Sequence, residues 1–403
     1  MAEVLTFILA GGQGERLYPL TRDRAKPAVP FAGAYRIIDF TLSNCINSGL
    51  RHIFLLTQYK SYALEKHVSL AWDIYSAELG EFISLLPPQQ RMSTDWYLGT
   101  ADAVYQNIYS LRELSPEYVL VLSGDHIYRM DYRRMLRFHR RKSADATIGL
   151  YEVPVGEASR FGVIEVDEKF RVHGFEEKPA RPRPKPGSTD RALVSMGVYL
   201  FTTRALVAAL MVDAENPASS HDFGRDVIPA MLTGYKVFGF PFEDDAGRPL
   251  YWRDVGTIDD YYRANMDLTG VLPAFNLYDP RWPIRTRPRP DPPAKTVHAD
   301  FEGKRVGLAL DSLLSGGVVV SGARVERSIL GPRVRVNSYA QVTDSVLFSD
   351  VDVGRNAKVR RAIVDKRVRI PPGYEIGFDL EQDRKRFAVS EGGVVVLAKG
   401  TEL

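Results

Sequence analysis

The sequence has a single cysteine, Cys45. One thiol cannot close an intramolecular disulfide, so the fold has to stand on its core, and this usage points to a reducing, cytosolic compartment. Histidine is scarce too: the seven present show no metal-ligand spacing, which leaves a zinc site without support. Charge of one sign is missing. Against 53 Lys and Arg stand 50 Asp and Glu, a net charge of +3, so no global field holds a polyanion or an acidic membrane. Any phosphate binding has to be local. A membrane-length apolar run is also absent: MAEVLTFILAGG is short, has no cationic leader and runs into glycines, so it reads as a buried strand.

What is present is ample apolar material. With 403 residues and 45% of them hydrophobic, the chain exceeds what one core usually organises, and two or three domains are expected. Through about residue 270, short apolar runs alternate with helical patterns, the mark of an α/β domain with a largely parallel sheet. The clearest strands are 4–10, 52–57, 118–125 and 146–153, with others at FGVIEVD, RVHGFEE, LVSMGVYLF and KVFGFPF. TADAVYQNIYSLREL has Val104, Ile108, Leu111 and Leu114 at helical spacing, and Gly49 is a helix stop. From Tyr278 to Lys295 six prolines interrupt any periodicity, which predicts an extended linker. The division is therefore 1–275, a linker at 276–305, and 306–403.

The last segment repeats every seventeen residues. Leu308, Val325, Val342, Val359 and Ile376 form one row, Leu313, Leu330, Leu347 and Val364 a second, and Val319, Val336, Val353 and Ile370 a third. Three aliphatic rows per coil are what a triangular parallel β-helix needs, one inward residue per face. So short a solenoid leaves open coil edges, and it is expected to pack on the first domain or on another subunit.

The chemistry gathers at strand ends. After the first strand, GGQGERLYPLT presents Gly12-x-Gly14 without the third glycine of a dinucleotide fingerprint and without the Gly-Lys-Ser/Thr of a P-loop. Such a turn lets backbone N–H groups approach phosphate, and Arg16 and Lys26 flank it as two cations suited to a triphosphate. Asp125 ends an apolar strand where open α/β sheets place ligands, and it could hold Mg²⁺; Asp254, in YWRDVG, is a second candidate. Asp131 is the better helix cap of the region. Glu177-Lys178-Pro179 could meet a sugar phosphate, the lysine as a point charge and the carboxylate on hydroxyls. Seven cations between Arg129 and Lys142 invite a nucleic-acid reading, but Met135, Leu136 and Phe138 give that helix an apolar side, and a solvated face or an anion-binding rim suits it better.

Taken together, LAGGQGERLYPLT, RAKPAVPFAGAYRIIDFTLSNCINSG, LLPPQQR, WYLGTADAVYQN, VLSGDHIYRMDY, FEEKPA, SSHDFGRDVIP, YWRDVGTIDDYYRANMDL, WPIRT and SGGVVVSGARVERSILGPRVRVNS resemble the bacterial glucose-1-phosphate adenylyltransferases, or ADP-glucose pyrophosphorylases, over nearly the whole chain. The resemblance implies a Rossmann-like, GT-A-like nucleotidyltransferase domain followed by a left-handed parallel β-helix. It implies transfer from ATP to α-D-glucose 1-phosphate, giving ADP-glucose and diphosphate for glycogen synthesis, with Mg²⁺, in a cytoplasmic homotetramer that binds neither nucleic acid nor membrane. By the same resemblance, glucose 1-phosphate falls to Tyr97, Gly162, Glu177, Lys178, Ser195, Tyr199 and Asp222. The nucleotide falls to Gly11, Gly12, Gly14, Arg16, Lys26, Gln58 and Gly99, the metal to Asp125 and Asp254, and catalysis to Arg16, Lys26 and Asp125.

Regulation is where the sequence departs. Members activated by fructose 1,6-bisphosphate have a lysine where this chain has Asp23, a histidine at Pro30 and an arginine at Leu98, while Arg36 is retained. The expectation is allosteric control at the domain interface by another effector of the sugar phosphate, pyruvate or AMP class. Competing readings are a pyrophosphorylase for another nucleotide or sugar, against which LLPPQQR and WYLGTADAV stand, and a silent regulatory subunit, against which Arg16, Lys26, Asp125 and Lys178 stand.

Overall fold

The structure is a computed structural model, and it describes residues 3–88, 96–303 and 305–403. Gln89, Gln90 and Arg91 of the LLPPQQR segment lie outside the described residues.

The apolar runs of the first part become a nine-stranded sheet. Its strands are β1 (Val4–Leu9), β2 (His52–Leu56), β3 (Phe82–Leu86), β4 (Tyr118–Ser123), β5 (Ala146–Pro154), β6 (Gly162–Val166), β7 (Val172–Glu177), β8 (Arg191–Thr202) and β9 (Val237–Pro241). β3, β2, β1 and β4 lie side by side and parallel, and the central β1 and β4, buried over nearly their whole length, read as continuous apolar runs for that reason. Beyond β4 the sheet is mixed: β8 runs antiparallel to β4 and to β5, and β6 and β7 pair antiparallel at that edge. The phosphate-type loop after β1 and the Asp125 turn after β4 therefore leave neighbouring strands at the same end of the sheet.

Helix α1 (Ile37–Asn47) is buried along most of its length, including the polar Asp39, Ser43 and Asn44. The proline-rich segment explains those polar positions, because it lies along this helix and supplies their partners. Trp282 Nε1 donates to Asn44 Oδ1 at 2.9 Å, Arg285 N to Ser43 Oγ at 2.8 Å and Thr286 Oγ1 to Asp39 Oδ2 at 2.7 Å. Asp39 also accepts from Trp72 Nε1 and sits 2.6 Å from His67 Nε2, so α2 (Tyr62–Ala71) is tied to the same carboxylate.

The single helix expected over TADAVYQNIYSLREL is two, α3 (Thr100–Tyr105) and α4 (Tyr109–Leu114). Continuous spacing of apolar residues does not register the break at Gln106–Ile108. The cation-rich helix α5 (Tyr132–Lys142) is capped by Asp131, as expected, and buries Met135, Leu136, Phe138 and His139. Its charges are largely spoken for: Arg133 pairs with Asp131, Arg134 with Asp245 and Arg140 with Glu3. Among the described residues no helix is long and apolar enough to cross a membrane.

The C-terminal part is a three-sided parallel β-helix. From the second coil onward the seventeen-residue rows stand in register: Val325, Val342, Val359 and Ile376; Leu330, Leu347 and Val364; Val336, Val353 and Ile370. The first coil is one residue out. Ala309 rather than Leu308 opposes Val325, Leu314 rather than Leu313 opposes Leu330, and Val320 rather than Val319 opposes Val336. The doublets Leu313–Leu314 and Val319–Val320 put an aliphatic at either register, so the spacing could not choose between them. The coil begins inside the proline-rich region, where Lys295–Val297 pairs with Val319–Ser321.

Two corners of the solenoid have charge ladders. Arg327, Asp344 and Arg361, and likewise Arg333, Asp350 and Arg367, recur every seventeen residues with left-handed φ between 41° and 65°. Arg327 meets Asp344 at 2.7 Å and Arg333 meets Asp350 at 2.8 Å. One face of the solenoid is apolar outward as well as inward: Ile329, Val346, Ile363 and Val396 pack with Phe31, Phe40 and Tyr261 of the first domain. A buried ion pair crosses the same contact, Arg24 Nη2 to Asp365 at 2.8 and 3.1 Å.

Candidate active site

At the ends of β1 and β4 lies a cavity of about 760 Å³, lined by Gly11, Gly12, Gly14, Arg16, Lys26 and Asp125 and also by Gln58, Tyr97, Gly99 and Asp222. The three glycines differ in what they do. Gly14 has φ 66°, and a Cβ there would stand 3.1 Å from both Lys26 and Thr21, so its turn admits no ordinary residue. Gly11 packs on Gln58, with 3.0 Å between an added Cβ and Gln58 Cβ. Gly12 has open space, so its backbone is bare toward a ligand.

Lys26 is held beneath this loop. Its Nζ donates to Asp125 Oδ2 at 2.8 Å and to Asp254 Oδ1 at 3.3 Å. The two carboxylates meet because Trp252–Asp254 pairs antiparallel with His126–Tyr128, opposing Asp254 to His126. Burial works to push the Asp125 carboxyl up, but the Lys26 ammonium and His126 outweigh it, and the carboxyl stays well below its ordinary range. Burial likewise opposes charge on Lys26, but Asp125 and Asp254 raise its pKa above the ordinary value. Arg16 lies alongside, its Nη2 3.3 Å from where a Cβ on Gly256 would stand. Among the described residues no side chain pairs with Arg16, so its guanidinium is available to an anion.

The residues nominated for the sugar form a second group. Glu177 Oε2 would lie 2.8 Å from a Cβ on Gly162 and 2.9 Å from one on Gly224, so two glycines make room for one carboxylate. Lys178, left-handed at φ 50°, donates to Glu177 Oε1 at 2.6 Å while half-exposed. Ser195 Oγ donates to Tyr199 Oη at 3.1 Å across an irregular stretch of β8, and Tyr199 packs on Phe223. Asp222 caps the helical turn Phe223–Val227 and accepts from Thr100 Oγ1 at 2.8 Å. Burial raises the pKa of both the Tyr97 and Tyr199 hydroxyls, which stay protonated donors. The two groups adjoin at Gly197, whose added Cβ would lie 3.4 Å from Ser123 and 3.5 Å from His126.

Arg36 belongs to neither group. Its guanidinium donates to the carbonyls of Ala28 and Ala63 at 3.1 and 3.0 Å, toward the domain contact.

Sequence reasoning passed over His126, which with Asp125 and Asp254 places three donor atoms within 4.8 Å of one another. It also passed over Trp252, whose ring meets His126 edge-on at 5.2 Å, and Thr100. His126 directly follows Asp125, and that adjacency was the one available signal.

A sheet whose glycine loop and acidic strand end share a cavity with two cations defines a class of enzyme that handles nucleotide phosphates. Residues 5–270 match the nucleotidyl transferase family model, and residues 292–397 match the GlmU-like C-terminal hexapeptide model. A glucose-1-phosphate adenylyltransferase of Rhodopirellula baltica is 54% identical, over 99% of this chain and 91% of that protein. One of Koribacter versatilis is 52% identical over 100% and 97%. Glucose-1-phosphate adenylyltransferase 2 of Vibrio cholerae is 51% identical over 98% of each. The chain belongs to the nucleotidyl transferase family and, within it, to the glucose-1-phosphate adenylyltransferases.

Proposed function

We propose that this chain transfers the adenylyl group of ATP to α-D-glucose 1-phosphate, releasing diphosphate and ADP-glucose. The observation that carries the reading is Lys26 held between Asp125 and Asp254 under the bare backbone of Gly12, with the unpaired Arg16 beside it. A phosphate oxygen of the sugar attacks the α-phosphorus in line with the departing diphosphate. One P–O bond forms as one breaks, and the attacking dianion needs no base. The work left to the protein is positioning and charge neutralisation. Gly11, Gly12, Gly14, Gln58 and Gly99 cradle the nucleotide, and Arg16 and Lys26 offset charge growing on diphosphate. Glu177, Lys178, Ser195, Tyr199, Gly162, Tyr97 and Asp222 hold the sugar phosphate.

Two hard carboxylate donors, Asp125 and Asp254, suit Mg²⁺, which when bound neutralises phosphate charge. The test is diphosphate release with glucose 1-phosphate and Mg²⁺, run separately with ATP, UTP, GTP and dTTP. ATP alone should support rapid turnover; a preference for UTP or dTTP would sink the assignment.

Arg36 is assigned to an effector. Burial, with Arg24, Arg289 and Arg287 nearby, pushes its guanidinium down to about 10 against the pull of Asp39. Lys366 on the facing coil is pushed to about 7 by burial, Arg36 and Arg24, with Asp365 opposing. Cations crowded to that degree at a domain contact suit an anion, and the effector class is a sugar phosphate, pyruvate or AMP. The assembly is assigned as a cytoplasmic homotetramer serving glycogen synthesis. Absence of any response across a panel of those effectors would remove the regulatory part alone.

A further inference from the structure

Outside the cavity, the turn Ser219–Asp222 is gripped by two carboxylates. Asp213, near the end of helix α6 (Thr203–Ala214), accepts from Ser219 Oγ at 2.7 Å through one oxygen and lies 2.9 Å from His221 Nδ1 through the other. Asp226 accepts from Ser220 Oγ at 2.6 Å and from Asp222 N at 3.1 Å. His221 has φ 54°, uncommon for a residue with a side chain, and donates its own N–H to Ser219 Oγ at 2.9 Å.

That conformation turns the His221 carbonyl toward the start of α3, where it accepts from Ala101 N at 2.9 Å and Asp102 N at 3.3 Å. Gly99 lies so close that a Cβ would stand 2.2 Å from the same oxygen. Beside it, Thr100 Oγ1 donates to Asp222 Oδ2 at 2.8 Å and accepts from Phe223 N at 3.0 Å. His221 does not line the cavity, but its two neighbours in this network, Asp222 and Gly99, do.

We propose that His221 and Asp213 form a positioning pair that holds the left-handed turn, and through it sets Asp222 for the sugar phosphate and seats the Gly99–Thr100 turn. This rests on the assignment of Asp222 to the sugar site. The Asp213 carboxylate gives one oxygen to Ser219 and the other to His221, so both of its oxygens hold the turn. Loosening the pair lets Asp222 swing and so weakens sugar binding before it slows the chemistry.

The experiment is a comparison of KM and kcat in His221→Leu, His221→Asn and Asp213→Asn, with Asp222→Asn alongside. Leucine keeps bulk but removes the donor, whereas asparagine tolerates left-handed backbone and restores an N–H. His221→Leu should raise KM for glucose 1-phosphate about tenfold with kcat within about threefold, and His221→Asn should recover to within about threefold. Asp213→Asn should follow His221→Leu, and it carries the test if the leucine variant does not fold. An unchanged KM in both variants while Asp222→Asn raises it would overturn the proposal, as would a loss of kcat and thermal stability at constant KM. If Asp222→Asn itself leaves KM unmoved, the sugar-site assignment fails and takes this proposal with it.

Discussion

The Lys26 ammonium stands 2.8 Å from Asp125 and is shared with Asp254 at 3.3 Å, so one cation bridges two carboxylates brought from separate strand ends and offsets only part of their charge. Removing charge from one carboxylate leaves Lys26 still paired with the other. Asp125→Asn is therefore expected to lower kcat by two orders of magnitude or about that, while the melting temperature changes by only about 2 °C. Turnover and calorimetry on the same preparation check this. A steep fall in melting temperature would make Asp125 a structural partner of Lys26 instead.

Lys178 is half-exposed and, among the described residues, its side chain is held by Glu177 alone, so its loss should not disturb the core. Lys178→Ala is expected to raise KM for glucose 1-phosphate by a factor of roughly 10–100, the loss of about 1.5–3 kcal/mol of charge-assisted bonding. KM for ATP should stay near its original value. An unchanged sugar KM contradicts the assignment.

His139 is buried and neutral between Thr147 and Thr202, and burial pushes it down to about 4 from the ordinary 6.5. The unfolded chain takes up the proton first. The stability this histidine confers is thus intact above pH 6.5 and is lost as pH falls from there through 4, about 3 kcal/mol in all. Melting temperatures between pH 7 and 4 should fall less steeply in His139→Gln than in the parent chain.

Lys366, pushed to about 7 and beside Arg36, gives the proposed effector site a pH signature. Without an effector, the depressed pKa makes this group favour the folded state increasingly as pH rises from about 7 toward its ordinary 10.5. A bound anion favours the ammonium and draws in a proton, so effector binding should tighten as pH drops from about 9 to 7. Titrations at several pH values should show that trend and its loss in Lys366→Met. A pH-independent affinity contradicts it.

How much of this was legible in the sequence depended on whether the signal was local. The strands β1 and β4 and the glycine loop were readable because their apolar runs and glycines lie within a few residues of one another. Rows from Val325 to Ile376 were readable because an inward face must repeat. Leu308, Leu313 and Val319 were misplaced by one residue because neighbouring aliphatics made either register acceptable. Nothing local in the sequence marks Asp39, since its partners His67, Trp72 and Thr286 are fixed only by tertiary packing. The same holds for Arg24 with Asp365, and for Asp125 with Asp254, two carboxylates the sequence nominates but cannot bring together.

The most direct measurement is ³¹P NMR of the purified chain with Mg²⁺, ATP and glucose 1-phosphate, paired with exchange of labelled diphosphate into ATP when the sugar phosphate is left out. ADP-glucose and diphosphate should appear in equal amounts, with no exchange in the absence of glucose 1-phosphate. A failure to form ADP-glucose, or exchange without the sugar phosphate, would contradict direct adenylyl transfer between the two substrates.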